Sequence, residues 1–341
     1  MNLQLFSDLS LADLSDATSG GADRVLGGAW LGQLDPAVAP GWPVQGIAAP
    51  LLGKSNDCLQ EIWRCDAACA AGESEGILWR RAGNLLYGVI ELDENEFVGS
   101  TSGSALQSAA AEAYRRIFRL LDSQGLPNLW RVWNYLAGIN AEVDGLERYR
   151  QFNIGRQDAF LEYRHVVTGN VPAACAIGLA SGPLSIAFMA GDLPAVPVEN
   201  PRQVSAYNYP SVYGPRSPTF SRAALVYLPG QEILFISGTA SIVGHQTVHS
   251  GDVVGQCRES MTNIATVVAE ANRLARTLPY TLGELSYRVY IRHAGDFPLV
   301  EATLSGLIGD AVEIVYVQAD ICRHDLLLEI EAMASHTLGS L

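Results

Sequence analysis

The 341 residues carry 36 acidic against 22 basic side chains, a net charge of −14, and one lysine, Lys54. A chain this long has room for two or three domains with a substantial core, and its charge argues against nucleic acid or an anionic membrane as partner. With a single lysine and no Gly-x-x-x-x-Gly-Lys run, Schiff-base chemistry and a Walker-type phosphate loop have almost nothing to work with, so an anionic substrate has to be held by arginines.

The start, Met1-Asn2-Leu3-Gln4, has no basic segment leading into an apolar core, and no 18-residue apolar run follows anywhere. Cys58, Cys65 and Cys69 lack paired Cys-x-x-Cys spacing, and the six cysteines read as reduced thiols of a cytoplasmic protein without a metal. The apolar run from Leu85 to Glu91 predicts a strand. A Gly/Ser-rich break at Gly99 to Gly103 leads into a helix from Ala105 to Leu121, with Tyr114, Ile117, Phe118 and Leu121 at three- and four-residue spacing. Gly125 and Pro127 end it, Trp130 to Ile139 is the next strand, and Asn140 to Gly145 reads as a turn.

The pattern then repeats. Ile233 to Gly238 predicts a strand, and a glycine-bearing loop leads into a helix from about Gln256 to Arg276 with Met261, Ile264, Val267, Val268 and Ala271 on one face. Leu285 to Ile291 is again a strand, and Leu184 to Ala190 echoes Leu327 to Ala334. Between the copies, Tyr207 to Pro218 is aromatic and proline-rich, a rigid loop suited to presenting Tyr213 and Arg216, or else a linker whose tyrosines pack on both neighbours.

The most telling stretch is Leu328-Glu329-Ile330-Glu331-Ala332. Its alternation places both carboxylates on one face of a strand. If that face is buried, loss of water and the neighbouring charge both favour a protonated carboxyl, which makes one of the pair a candidate general acid. If the strand is at an edge, both simply face water. Cys322 supplies a further titratable group seven residues earlier, and in the first copy Ser185 and Ala187 stand where the glutamates would be. Other candidates are weaker. His245 and His249 are flanked by Gly244 and Gly251, so no helix aligns them on a metal, and Ser237-Gly238 with Gly251-Asp252 lacks a Gly-x-Ser-x-Gly elbow.

Leu234 to Gly238, Gly251 to Gln256, Asn263 and Glu329 to Ala334 together resemble the YjgF/RidA superfamily. Trp133-Asn134-Tyr135, Gly138-Ile139-Asn140, Gly155-Arg156, Tyr213-Gly214-Pro215-Arg216, Gly244-His245 and the terminal Leu-Leu-Leu-Glu-Ile-Glu are similar to the chorismatases, over residues 75 to 335. The resemblance implies an α+β fold of two chorismate-mutase-like units, with mixed sheets and helices packed on one face. The units would span 75–200 and 223–341, joined by the loop 201–222 and preceded by an extension, 1–74. One chain would then supply interfaces that smaller relatives obtain by trimerising, as a monomer or small homo-oligomer. The superfamily's imine deaminases bind substrate through an arginine before the terminal motif, and Gln318 to Cys322 has none, which favours the chorismatase branch.

That branch implies cleavage of chorismate to pyruvate with no metal or organic cofactor. Cysteine at position 322, rather than alanine, implies an aromatised product, 3-hydroxybenzoate alone or with 4-hydroxybenzoate, of the kind that feeds pigment and ubiquinone synthesis. Glu329 is then the acid and Cys322 its companion. Arg156, Arg216 and Arg292 are the expected carboxylate clamps, with Tyr213 as a donor and Gly238 in the substrate-binding set. A hydrolase that stops at a non-aromatic dihydrodiol and a non-catalytic ligand-binding protein remain as alternatives.

Overall fold

The structure, a computed structural model, describes residues 2–7, 21–33, 41–53, 58–99 and 103–338; Met1, Lys54 and positions 100–102 of the Gly/Ser-rich break lie outside them. The N-terminal part contributes β1 (Leu3–Ser7), β2 (Val25–Gly32), β3 (Val44–Ile47), β4 (Leu51–Leu52) and β5 (Cys58–Cys65). A first unit follows with β6 (Ala70–Ser74), β7 (Ile77–Ala82), β8 (Leu85–Leu92), α1 (Ala105–Gln124), β9 (Asn128–Ala137), the short pair β10 (Glu142–Val143) and β11 (Leu146–Glu147), α2 (Arg148–Glu162), β12 (Ala173–Leu179) and β13 (Leu184–Gly191). The second has β14 (Val196–Val198), β15 (Ala223–Leu228), β16 (Gln231–Thr239), β17 (Ile242–Val243), β18 (Gln246–Thr247), α3 (Val253–Asn272), β19 (Ser286–Ile291), α4 (Phe297–Ile308), β20 (Ile314–Gln318) and β21 (Leu328–Thr337).

The fold is α+β and its two units are copies in topology. One sheet runs β12-β9-β13-β8-β7-β6 and the other β14-β15-β16-β21-β19-β20-β4, so β7, β8, β9, β12 and β13 occupy the places of β15, β16, β19, β20 and β21. The register agrees residue by residue. Ser185 lies opposite Tyr135 as Glu329 lies opposite Tyr290, and Ala187 opposite Trp133 as Glu331 lies opposite Arg288. Strand β4 adds an edge to the second unit's sheet, and β1-β5-β2-β3 form a third sheet.

Each helix pair covers one face of its own sheet, and the other faces meet. Along β13, Ile186, Phe188 and Ala190 pack under α1 and α2, whereas Ala187 and Met189 point into a central core shared with Leu26, Leu31 and Trp63 of the third sheet and Phe235 of the second unit. The period-2 alternation of a strand buried on both faces accounts for the uninterrupted apolar run. Along β21 the same rule sends Leu328, Ile330 and Ala332 to the helix side. Glu329 and Glu331 therefore face the centre of the molecule, both buried; they are not on a solvated edge.

Both anticipated helices form, α1 with Ser104 Oγ accepting from the Gln107 amide at 3.2 Å and left-handed Gly125 at its end, and α3 with Asp252 accepting from the Gly255 amide at 2.9 Å. The region after Asn140 is more than a turn. It forms the β10–β11 hairpin and then α2, whose buried side includes Gln151, Asn153 and Arg156. Those polar residues erase the apolar period that would have announced a helix. Gly155 lets α2 lie against α1, since a β-carbon there would meet the Gln107 carbonyl oxygen at 2.0 Å. Among the described residues no helix is long and apolar enough to cross a membrane.

Candidate active site

A cavity of about 390 Å³ lies between the first unit's edge strand β12 and helix α2 on one side and β16, β21 and the turn before β21 on the other. That size suits a small organic ligand. Glu329 is part of its wall, and burial first, then the Glu331 carboxylate, push its carboxyl up to about 8 against the pull of Arg131 and Arg222. It therefore carries a proton at neutral pH. Gly238 faces it from β16, where a β-carbon would lie 1.8 Å from Glu329 Oε1, so the carboxyl has room only because residue 238 has no side chain.

The neighbouring glutamate is treated differently. Glu331 pairs with Arg131 from the first unit, with Arg288 Nη1 at 3.0 Å and with the Tyr290 hydroxyl at 3.0 Å. Arg288 in turn pairs with Glu61 of the third sheet. Among the described residues no arginine pairs with Glu329, whose carboxyl is approached by the Cys322 thiol at 4.0 Å. Burial and the Glu329 carboxyl push that thiol up to about 12, so it stays S–H.

Three arginines of the cavity wall have donors to spare. Nε of Arg156, Nε of Arg222 and Nη2 of Arg323 are buried without a hydrogen-bond partner. Each guanidinium is otherwise fixed. Arg156 donates to Asn153 Oδ1 at 2.8 Å, Arg222 donates to the Tyr209 hydroxyl at 2.8 Å and lies over the Tyr209 and Phe220 rings, and Arg323 donates to the His245 carbonyl at 2.9 Å and sits 4.1 Å from the Tyr213 ring centre. A cavity that holds the neutral Glu329 and four arginines, three of them with unspent donors, suits a compound with more than one carboxylate. The smaller cavity of about 50 Å³ beside Glu331 is lined by Arg131, Arg288 and Glu61, whose charges are spent on one another.

The family model for the N-terminal part of FkbO/Hyg5-like chorismatases matches residues 61–190. A chorismatase of Streptomyces rapamycinicus is 37% identical over 291 residues, 83% of this chain and 84% of its own. A 3-hydroxybenzoate synthase of Streptomyces hygroscopicus is 34% identical over 309 residues, 87% of each chain. A crystal structure of a chorismatase superposes with a TM-score of 0.86 at 31% identity, covering 98% of both chains.

The chain belongs to the chorismatase family. Of the residues that the sequence singles out, the fold brings Glu329, Cys322, Arg156, Tyr213 and Gly238 to one cavity. It does not bring Arg216 or Arg292. Arg216 is exposed beside Asp158 at 3.4 Å, because the loop that turns Tyr213 inward turns the next residues out. Arg292 is consumed by structure: it donates to Asp320 Oδ1 (2.5 Å), Asn140 Oδ1 (3.1 Å) and the carbonyls of Leu326, Ile321 and Arg323. It staples the turn that carries Cys322.

Arg222 and Arg323, which the sequence analysis did not single out, line the cavity beside Arg156. Arg323 adjoins Cys322, and Tyr209, which stacks on both arginines, is in the aromatic segment, so a faint signal existed. The weaker candidates have structural uses. Ser237 Oγ accepts from the Ala174 amide at 2.9 Å and donates to the Ser221 carbonyl at 2.6 Å. His245 Nδ1 meets the Tyr213 hydroxyl at 3.1 Å, while His249 lies by Glu259 at 3.7 Å.

Proposed function

We propose that this chain converts chorismate to pyruvate and 3-hydroxybenzoate, with 4-hydroxybenzoate as a second product, and that Glu329 delivers the proton that breaks the enolpyruvyl ether. As a chorismatase it is a chorismate-cleaving enzyme. The observation that carries the mechanism is a carboxyl held neutral by burial inside an arginine-lined cavity. Chorismate is a dianion, with one carboxylate on the ring and one on the enolpyruvyl arm. The unspent donors of Arg156, Arg222 and Arg323 suit those two groups.

Proton transfer to the methylene carbon of the arm makes an oxocarbenium ion and lets the ether open. Carbon is a slow base, so the acid has to be in place and already protonated, as Glu329 is. Tyr213, held by His245 and Arg323, is a further donor toward the arm. Support for the aromatic product comes from Cys322 beside Glu329 and from the relative named 3-hydroxybenzoate synthase. All six cysteines are free, and we place the reaction in the reducing cytoplasm. Incubating pure protein with chorismate and separating the products by chromatography tests this reading: pyruvate with hydroxybenzoates is expected, whereas a non-aromatic dihydrodiol as the sole ring product would refute the product assignment.

A further inference from the structure

Buried arginines are held in two ways in this chain. At the centre of the molecule, Arg131 and Arg288 are met by the carboxylates of Glu331 and Glu61. Around the larger cavity the acceptors are neutral. Arg222 donates to the Val204 carbonyl and the Tyr209 hydroxyl, each at 2.8 Å, Arg323 donates to the His245 carbonyl at 2.9 Å and the Thr247 hydroxyl at 3.4 Å, and Arg156 donates to the side-chain oxygen of Asn153 at 2.8 Å. Among the described residues none of these three forms an ion pair. Glu199 accepts from the Arg222 main chain and bears on its guanidinium by charge, without pairing.

Arg156 is the sharpest case. It is 2% exposed, and what surrounds its charge is the Asn153 amide, the Tyr114 hydroxyl and the Phe152 ring at 5.1 Å. A cation taken out of water without a counter-charge is costly. A buried amide satisfied one helical turn from an arginine would explain the hydrogen bond alone. It does not explain why the acceptor is an amide, since aspartate has the same shape and would pair with the guanidinium as Glu331 pairs with Arg131.

The placement of Asn153 bears on this. Positions 149, 153 and 156 follow at four- and three-residue spacing and share a face of α2. Tyr149 and Arg156 line the cavity, and Asn153, itself 2% exposed, stands between them on that face, behind the wall. The Tyr149 side chain hydrogen-bonds Asn153 as well. The helix cannot easily turn about its axis, because Gln151 Nε2 donates to the Val143 and Leu146 carbonyls at 2.6 and 2.9 Å and its Oε1 accepts from Ser104 Oγ at 2.6 Å.

We propose that Asn153 is a positioning residue that fixes the Arg156 guanidinium through a neutral acceptor and so leaves its full charge for a carboxylate of the substrate. The inference rests on the reading of this cavity as a chorismate site. The empty protein then bears an uncompensated buried cation, and the incoming anion supplies the missing partner.

The test is Asn153→Asp, which keeps the shape and places a carboxylate on Arg156. KM for chorismate should rise about tenfold to a hundredfold, the range for a lost hydrogen bond to a charged group, with a smaller change in kcat. The melting temperature of the same variant without ligand should rise by about 2 °C or more, because the cation gains a partner. Asn153→Ala, which removes the acceptor and adds no charge, should raise KM and lower the melting temperature. An unchanged KM in either variant overturns the proposal, and so does a fall in kcat with KM unmoved. A lower melting temperature in Asn153→Asp also overturns it, by showing that Arg156 had no charge to spare. If the unaltered protein neither binds nor consumes chorismate, the chorismate reading fails, and the ligand-free melting temperature of Asn153→Asp still decides whether Arg156 is held uncompensated.

Discussion

At positions 329 and 331 the same side chain is put to two uses by what surrounds it. Glu331 has two arginines and a tyrosine on its oxygens, and Glu329 has a thiol and a glycine. The alternation of the strand showed in advance that the two share a face, but not which would be paired, because Arg131 comes from a strand 200 residues away in the chain. The same limit explains the arginines. Arg216 stood in the more distinctive motif and points outward, while Arg222 and Arg323 acquire their meaning only when the aromatic loop folds over them. Replacing Arg222 or Arg323 by Lys keeps the charge and loses the fork, so KM for chorismate should rise about tenfold, whereas Arg216→Ala should leave it unchanged; steady-state kinetics on the three variants distinguishes the two groups. At Cys322, exchange for Ala should preserve pyruvate release while hydroxybenzoate declines, since the thiol is the polar group beside Glu329. Identical products from Cys322→Ala would make the cysteine mere packing.

Among the elements, those with a clean period were legible and those bearing the site's polar residues were not. Helix α1 has Tyr114, Ile117, Phe118 and Leu121 on its buried side and ends at a left-handed glycine, both visible as sequence. Helix α2 buries Gln151, Asn153 and Arg156 beside Phe152 and Phe160, so its pattern is neither amphipathic nor apolar, and its buried polar residues hid it. Strand β16 shows the opposite case, in which a single small residue matters more than a period. Gly238 has no side chain where Glu329 needs the space. Gly238→Ala should displace the carboxyl from its place and lower kcat by about 10²-fold, the scale of a 1 Å misplacement, while the melting temperature moves little; a variant with normal turnover would show that Glu329 tolerates another position.

For the whole molecule, duplication leaves two sheets and a third N-terminal one facing a common centre, where Arg131, Glu331, Arg288 and Glu61 form a chain of charges contributed by all three. The doubled unit could be read from the sequence because both copies keep strand, helix and strand in the same order. The third sheet could not, because β1 and β3 are short and β2, Val25–Gly32, is buried on both faces and so shows no alternation. Breaking the charge chain with Arg288→Met takes from buried Glu61 the arginine it pairs with and from Glu331 one of its two, and should cost about 3–5 kcal/mol of stability in denaturant unfolding. The centre thus holds Glu331 in place beside Glu329, and Glu331 is one of the causes that keep the proton on Glu329. The pH dependence of kcat/KM for chorismate, measured with the unaltered protein and Glu329→Gln side by side, is the most direct check. Because the competent form is the protonated acid, activity should hold below pH about 8 and decline above it, and the Gln variant should be slower by about 10²- to 10⁴-fold at every pH. A Gln variant that turns over chorismate at the normal rate, or activity that rises through pH 8, would contradict protonation by Glu329.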